Sequence, residues 1–182
     1  MRHGQTESSA RKAYSGRSDV ALTQTGHEQA RRAGERLAAA GIDAVLSSPL
    51  SRARDTAQAI AEATGAPLTV DERLTEIDYG EFEGLDRAQA LEAFGSAFQA
   101  WRDDPFGSPV PGMETLDDAL ARARAAIADA LAATRRPVIV GHQGILRIVL
   151  IALGELEPDD YFGMRLQEAE PIAVPEPVLA DP

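Results

Sequence analysis

The stretch RRPVIVGHQGILRIVLIALG, residues 135–154, carries the fold in miniature. Pro137 to Val140 is a short β-branched run, and Gly141 and His142 follow it at once. The next residues form an apolar segment that reads as a helix and stops at Gly154. Strand, glycine turn and helix in immediate succession make one unit of a layered α/β protein. A histidine at that junction is notable. In open α/β sheets, ligands and catalytic groups collect beyond the carboxyl ends of the strands. Histidine is also an ordinary loop residue, so His142 needs company before it means anything.

Working outward, the same alternation recurs. Thr23 is a candidate N-cap for a helix with Ala30, Ala33, Leu37 and Ala40 on one face, ended by Gly41. Ile42–Leu46 reads as a short buried strand. A second helix is expected over Ser51–Thr64, with Ala53, Ala57, Ile60 and Ala61 as its stripe and Gly65 and Pro67 as its stop. Pro67–Val70 is a further candidate strand. Residues 71–112 mix glycine, proline, aromatics and carboxylates, and predict short helix and loop. Residues 115–134 give the clearest helix, with Leu116, Leu120, Ala123, Ile127 and Leu131 at helical spacing. The expected architecture is α/β: a three-layer sandwich whose mostly parallel central sheet has helices on both faces. One domain over residues 1–182 is expected, with a loose tail from about residue 175.

Composition narrows the function classes. The chain has 182 residues, a net charge of −11 and no cysteine. Its basic residues are arginines apart from Lys12. An acidic surface disfavours nucleic acid or an anionic membrane as partner, yet a local arginine cluster can reverse the field inside one pocket. Without cysteine there is no disulfide, thiolate zinc site or cysteine nucleophile. The longest apolar run, Ile145 to Leu153, is interrupted by Arg147 and is too short to span a bilayer. A cytoplasmic protein fits these features.

Three further groups suggest chemistry. The chain opens MRHGQTESS, placing His3 between a cation and a glycine with almost no apolar context. Arg52 falls in the first turn of a predicted helix, where backbone N–H groups and the helix dipole favour an anion. If Arg2 and Arg52 faced one pocket, they would form a bidentate clamp for phosphate oxygens. They would otherwise be ordinary surface arginines. LTEIDYGEFEG crowds Glu76, Asp78, Glu81 and Glu83 together. Crowding with burial can supply a general acid near neutral pH, and the four are not separable by position alone. His27, inside an amphipathic helix beside Glu28, reads as a solvated surface residue.

Together RHGQTE, SSPLSRARDTA, LTEIDYGEFEG, PGMETLDDALAR and VIVGHQG resemble, in order, the histidine phosphatase superfamily with its phosphoglycerate mutase-like fold. The resemblance runs from Arg2 to about Gly154. It implies that His3 is the nucleophile, carrying the phosphoryl group as phosphohistidine. It implies phosphate binding by Arg2 and Arg52, completion of the pocket by His142, and proton transfer by Glu76. The backbone around Gln143 would assist. Ser9 stands where the family usually has a phosphate-binding asparagine, and Ala21 where it usually has proline. Gly4 is expected to let the chain turn sharply beside the phosphate.

Mutases of the family resemble one another around an E-R-H-Y-G block and carry a longer central insertion. Here the block reads Glu76-Ile77-Asp78-Tyr79-Gly80 and the chain is short. The resemblance therefore implies a metal-independent phosphatase of the broad-specificity or α-ribazole-phosphate type, without cofactor, acting on a small phosphorylated substrate as a monomer or homodimer. Rival readings are mutase-type transfer, a non-catalytic phosphate-binding protein on the same fold, and a metal hydrolase using His3, His142 and a carboxylate. Phe94, Phe98, Trp101 and Phe106 either cover the leaving-group side or belong to the core. Only Met1 precedes Arg2, where the family has an apolar strand, so a short apolar extension upstream of Met1 is also expected.

Overall fold

In the computed structural model, residues 1–110, 112–175, 177 and 179 are described. Three parallel strands make the central sheet: β1 (Ala44–Ser47), β2 (Leu68–Val70) and β3 (Pro137–Val140), in the order β2-β1-β3. Val45 pairs with both Leu68 and Val138 in register. Arg2 adds a parallel bridge beyond β3, with the His3 N–H donating to the Gly141 carbonyl at 2.9 Å. The N-terminal tripeptide is thereby laid along the strand end that carries His142.

Because side chains alternate along a strand, the sheet has two apolar faces. Val45, Val138 and Val140 pack on Ala53, Ala57 and Ile60 of α3 (Ser51–Thr64), with Leu37 of α2 (Gln24–Leu37) behind them. α1 is the single turn Glu7–Ala10. Ala44, Leu46 and Ile139 pack on Ala126 and Ala130 of α5 (Leu116–Ala133). α6 (Gln143–Ala152) lies against α5 and supplies much of the largest apolar cluster. The expected three-layer sandwich with a parallel sheet is present.

Local signals explain the element ends. The Thr23 hydroxyl accepts from the Gly26 N–H, as an N-cap should. α3 keeps the expected bounds and closes on Gly65 in the left-handed conformation, φ 72°. β1 begins two residues later than expected, at Ala44. The buried stripe of α5 is also rotated: Ala119, Ala126 and Ala130 are buried, whereas Leu120 and Leu131 are only partly so. Small side chains let the helix sit closer to the sheet than a leucine stripe would allow. The central segment is more helical than expected. α4 spans Arg87–Asp103, opened by an Asp86 capping box and broken at Gly95, φ 51° and ψ −118°.

Phe98 and Trp101 of α4 are each 1% exposed and belong to the core. Of the two sequence readings for the aromatics, packing is the one realised for them. Most of the tail expected to be loose lies outside the described residues; Leu179, within them, packs against the largest cluster. Among the described residues no helix is long and apolar enough to cross a membrane.

Candidate active site

Beyond the carboxyl ends of β1 and β3 lies a cleft of about 450 Å³ lined by Arg2, His3, Arg52, Glu76 and Gln143, among others. A larger apolar groove of about 600 Å³ beside Met1 and β3 contains neither histidine nor Glu76. The candidate catalytic side chains His3 and Glu76 therefore face the smaller cleft.

His3 is 5% exposed, and its ring centre lies 5.1 Å from that of His142. Its Nδ1 lies 2.6 Å from the Gly4 carbonyl oxygen, which can only accept, so Nδ1 carries the proton. Nε2 is left with its lone pair. The loop is fixed by the Gly4 N–H donating to Thr56 at 3.0 Å. Gly4 itself is needed for a reason other than the one expected. Its φ is not positive, but a Cβ there would stand 2.4 Å from the Gly26 carbonyl oxygen. Close approach to α2, rather than a sharp turn, excludes a side chain.

His142 is 1% exposed and spans Arg52 and Ser48. The Arg52 Nε–H donates to its Nδ1 at 3.1 Å, so the proton sits on Nε2 and donates to the Ser48 hydroxyl at 2.7 Å. Both imidazoles are held neutral. Burial first, then Arg2 and Arg52, depress His3 to about 3. Burial, then His3, Arg52 and Arg2, hold His142 well below the ordinary histidine value.

Arg52 is buried and heavily engaged. Besides His142 it donates to the carbonyls of Ser15, Gly16 and Ser18 at 2.7–3.1 Å. A guanidinium has five N–H donors, so four bonds leave one for a ligand. The helix start beside it is already occupied by the chain's own anion, Asp19, which accepts from the Ser51 N–H at 2.7 Å. Arg2 is less committed. It reaches Gln143 at 3.4 Å, the Leu166 carbonyl at 3.3 Å and Glu168 at 3.8 Å, and its buried Nε has no partner.

Of the four crowded carboxylates, the structure brings one into the cleft. Glu76 is 3% exposed and accepts from the N–H groups of Ile77, Gly144 and Ile145 at 2.8–2.9 Å. It thus satisfies the open N-terminus of α6, whose N-cap residue His142 provides no side-chain cap. Asp78 caps Gly80, Glu81 is exposed, and Glu83 accepts from the Gly16 N–H through both oxygens. The Gln143 N–H, first in α6, has no intrahelical acceptor and is available to an anion.

Ser9 lines the cleft, but its hydroxyl is engaged in a capping box with Thr6, at 2.9 and 3.0 Å. Phe94, Phe98, Trp101 and Phe106 do not line it; Tyr14, Tyr79 and Phe162 do. Among the described residues, no group of three or more His, Asp or Glu side chains is placed to hold a metal ion.

Sequence reasoning missed two positioning residues. Ser48 orients His142, and only its place in the SSP run beside Arg52 hinted at that. Arg122 of α5 donates to the carbonyls of Arg73 and Thr75 at 2.6 Å and is paired with Glu114 at 2.6 Å, clasping the segment that leads into Glu76. An arginine next to an alanine stripe was its visible sign. Arg87, Arg102 and Arg147 also line the cleft; in the sequence Arg147 stands out only as an interruption of an apolar run.

The profile of the histidine phosphatase superfamily, branch 1, matches residues 1–174. A bifunctional protein of Mycobacterium tuberculosis is 40% identical over 151 residues, 82% of this chain. The chain spans only 39% of that relative's length. A 2,3-bisphosphoglycerate-dependent phosphoglycerate mutase of Brucella ovis is 34% identical, covering 94% of this chain and 88% of the mutase. Among solved structures, a mycobacterial glucosyl-3-phosphoglycerate phosphatase complexed with VO3 superposes with a TM-score of 0.81. That pair is 32% identical and covers 92% of this chain and 84% of the other. With His3, Arg52 and Glu76 lining one cleft, His142 buried behind it against His3 and Arg52, and the family match spanning all four, the chain belongs to the histidine phosphatase superfamily.

Proposed function

We propose that this chain is a phosphomonoesterase that hydrolyses a small phosphorylated metabolite through a phosphohistidine on His3. The observation that carries the reading is the His3 tautomer: Nδ1–H is tied to Gly4, which leaves a neutral Nε2 lone pair buried beside two guanidinium groups. Nε2 attacks phosphorus as the ester P–O bond breaks, and Glu76 gives a proton to the departing oxygen. Water then attacks phosphorus, Glu76 takes its proton, the P–N bond breaks and phosphate leaves. Splitting one displacement into two is the gain of a covalent intermediate. Three of roughly four carboxylate lone-pair sites on Glu76 accept backbone N–H bonds, leaving one for the leaving group.

Arg2, Arg52 and the Gln143 N–H supply the charge and donors that phosphoryl transfer requires, so the reading needs no metal. The substrate type suggested by the sequence is that of broad-specificity or α-ribazole-phosphate phosphatases. Similarity to the Brucella mutase favours a second reading, transfer of the phosphoryl group to another hydroxyl instead of water.

The test is hydrolysis of aryl and alkyl phosphates by wild type and Glu76→Gln, with and without chelator. The expected result is chelator-insensitive release of inorganic phosphate, with Glu76→Gln slowing alkyl esters about 10²–10⁴-fold and activated aryl esters far less. Activity lost to chelator and restored by zinc would overturn the proposal, as would equal slowing of both ester classes for the role of Glu76.

A further inference from the structure

The cleft continues past the phosphate-binding groups along α6. Gln143 and Arg147 are four residues apart and share one helix face. Across from Arg147, Arg102 at the end of α4 lies over the Phe162 ring, its guanidinium carbon 3.7 Å from the centroid. The Arg147 guanidinium carbon is 5.9 Å from the same ring and 5.3 Å from Tyr161. Two guanidinium groups thus share one aromatic ring. Arg87, at the start of α4, is the third cation of this wall and, like Lys12 and Arg165 at the rim, is exposed.

The chain has 29 carboxylate side chains, yet among the described residues none forms an ion pair with Arg87, Arg102 or Arg147. Among the described residues, Glu76 is the only acidic side chain lining the cleft. Arg147 donates through Nε and Nη2 to the Met164 carbonyl and faces the Tyr161 hydroxyl, and Arg102 faces the Tyr14 hydroxyl, so their partners are neutral oxygens and not carboxylates. Buried Arg102 Nε and Ser15 Oγ have no hydrogen-bond partner, and both residues line this cleft. Buried polar groups are ordinarily satisfied, and like charges crowded on one wall repel. Burial above all, with Arg87 and Arg147 nearby, lowers the proton affinity of Arg102, and the neighbouring Tyr14 hydroxyl only partly offsets this.

We infer that the substrate carries a second anionic group, a carboxylate or a second phosphate, at the end remote from the transferred phosphoryl group, and that Arg87, Arg102 and Arg147 receive it. The inference rests on the phosphatase reading for the first phosphate, but its evidence is the unpaired wall. Arg102 and Arg147 are specificity-determining groups here, remote from the reacting phosphorus.

The experiment compares propyl phosphate with its carboxylate-ended and bisphosphate analogues. Calorimetry on His3→Ala measures affinity without turnover, and steady-state kinetics on wild type measures kcat/KM. The expected result is that both doubly charged ligands bind at least about tenfold tighter than propyl phosphate, in keeping with charge-assisted bidentate pairing. The tighter of the two identifies the second group. Arg102→Gln should shrink that preference to within about threefold, chiefly through KM. Equal affinity for all three ligands would overturn the inference, as would an Arg102→Gln variant that weakens all three alike. Should wild type hydrolyse none of them, the phosphatase reading fails while the affinity ranking still decides this one.

Discussion

On the floor of the cleft, the polar groups are committed to the chain itself. His142 is held between Arg52 and Ser48, Glu76 accepts three backbone N–H bonds, and Arg52 donates to three loop carbonyls. On the outer wall, Arg87, Arg102 and Arg147 face the same space with no acidic partner among the described residues. The contrast separates two tasks. Reacting groups must be fixed to a fraction of an ångström before substrate arrives, and internal hydrogen bonds do that. A recognition wall gains by keeping its donors available, since bonds already made would have to be exchanged for those to the ligand. On the proposed reading, phosphoryl chemistry is built into the floor and substrate choice into the wall.

The sharpest way to break this division is at the floor. His3→Ala should abolish turnover, by about 10⁴-fold or more, since loss of a covalent nucleophile removes the step rather than tuning it. The fold should survive, seen as an unchanged far-ultraviolet circular dichroism spectrum. Substantial residual turnover would move the nucleophile elsewhere. Next comes Gly144→Ala. A Cβ there would meet Glu76 Oε1 and the Tyr79 hydroxyl at 2.7 Å, and Ile77 at 2.9 Å. Glu76 cannot yield without losing its anchors, so kcat should fall about 10²-fold by misplacement alone. A variant with wild-type kcat would show that the anchoring of Glu76 is dispensable.

The smallest expected effect is on stability against pH. His3 and His142 have depressed values when folded, and ordinary ones near 6.5 when unfolded. Between those values the unfolded chain binds more protons, so stability rises with pH there. Their contribution is therefore fully present above about pH 7 and declines as the pH falls from 6.5 towards about 3. Urea midpoints for wild type and His3→Ala would check it. The acid-side loss should be smaller in the variant, and identical profiles would remove His3 from the account.

Much of the scaffold was legible in the sequence because the deciding signals are local. Periodicity and Gly65 as a stop placed α3 to the residue, and Thr23 placed the start of α2, which ends at Leu37, three residues short of the expected Ala40. α4 was the exception: Gly95 and the mixed aromatics hid a helix whose continuation depends on packing Phe98 and Trp101 beneath the cleft. At the site, residue identities were readable and their commitments were not. Nothing in SSPLSR says that Ser48 turns towards His142, or that Arg52 is engaged by loop residues 15–18 more than thirty positions upstream. Among the four carboxylates, position alone did not separate Glu76; the family resemblance named it, and the structure buries it at the cleft. The arginine wall escaped notice because its members, from α4 and α6, are far apart in the chain.

The central claim is that His3 attacks through Nε2 because Gly4 holds the proton on Nδ1. Rapid acid-free quenching during turnover, followed by peptide mapping and nuclear magnetic resonance of the trapped phosphoenzyme, addresses it directly. The account predicts one acid-labile phosphate on His3, attached at Nε2. Phosphate on Nδ1 of His3 or on His142, or steady turnover through an enzyme that is never phosphorylated, would contradict it.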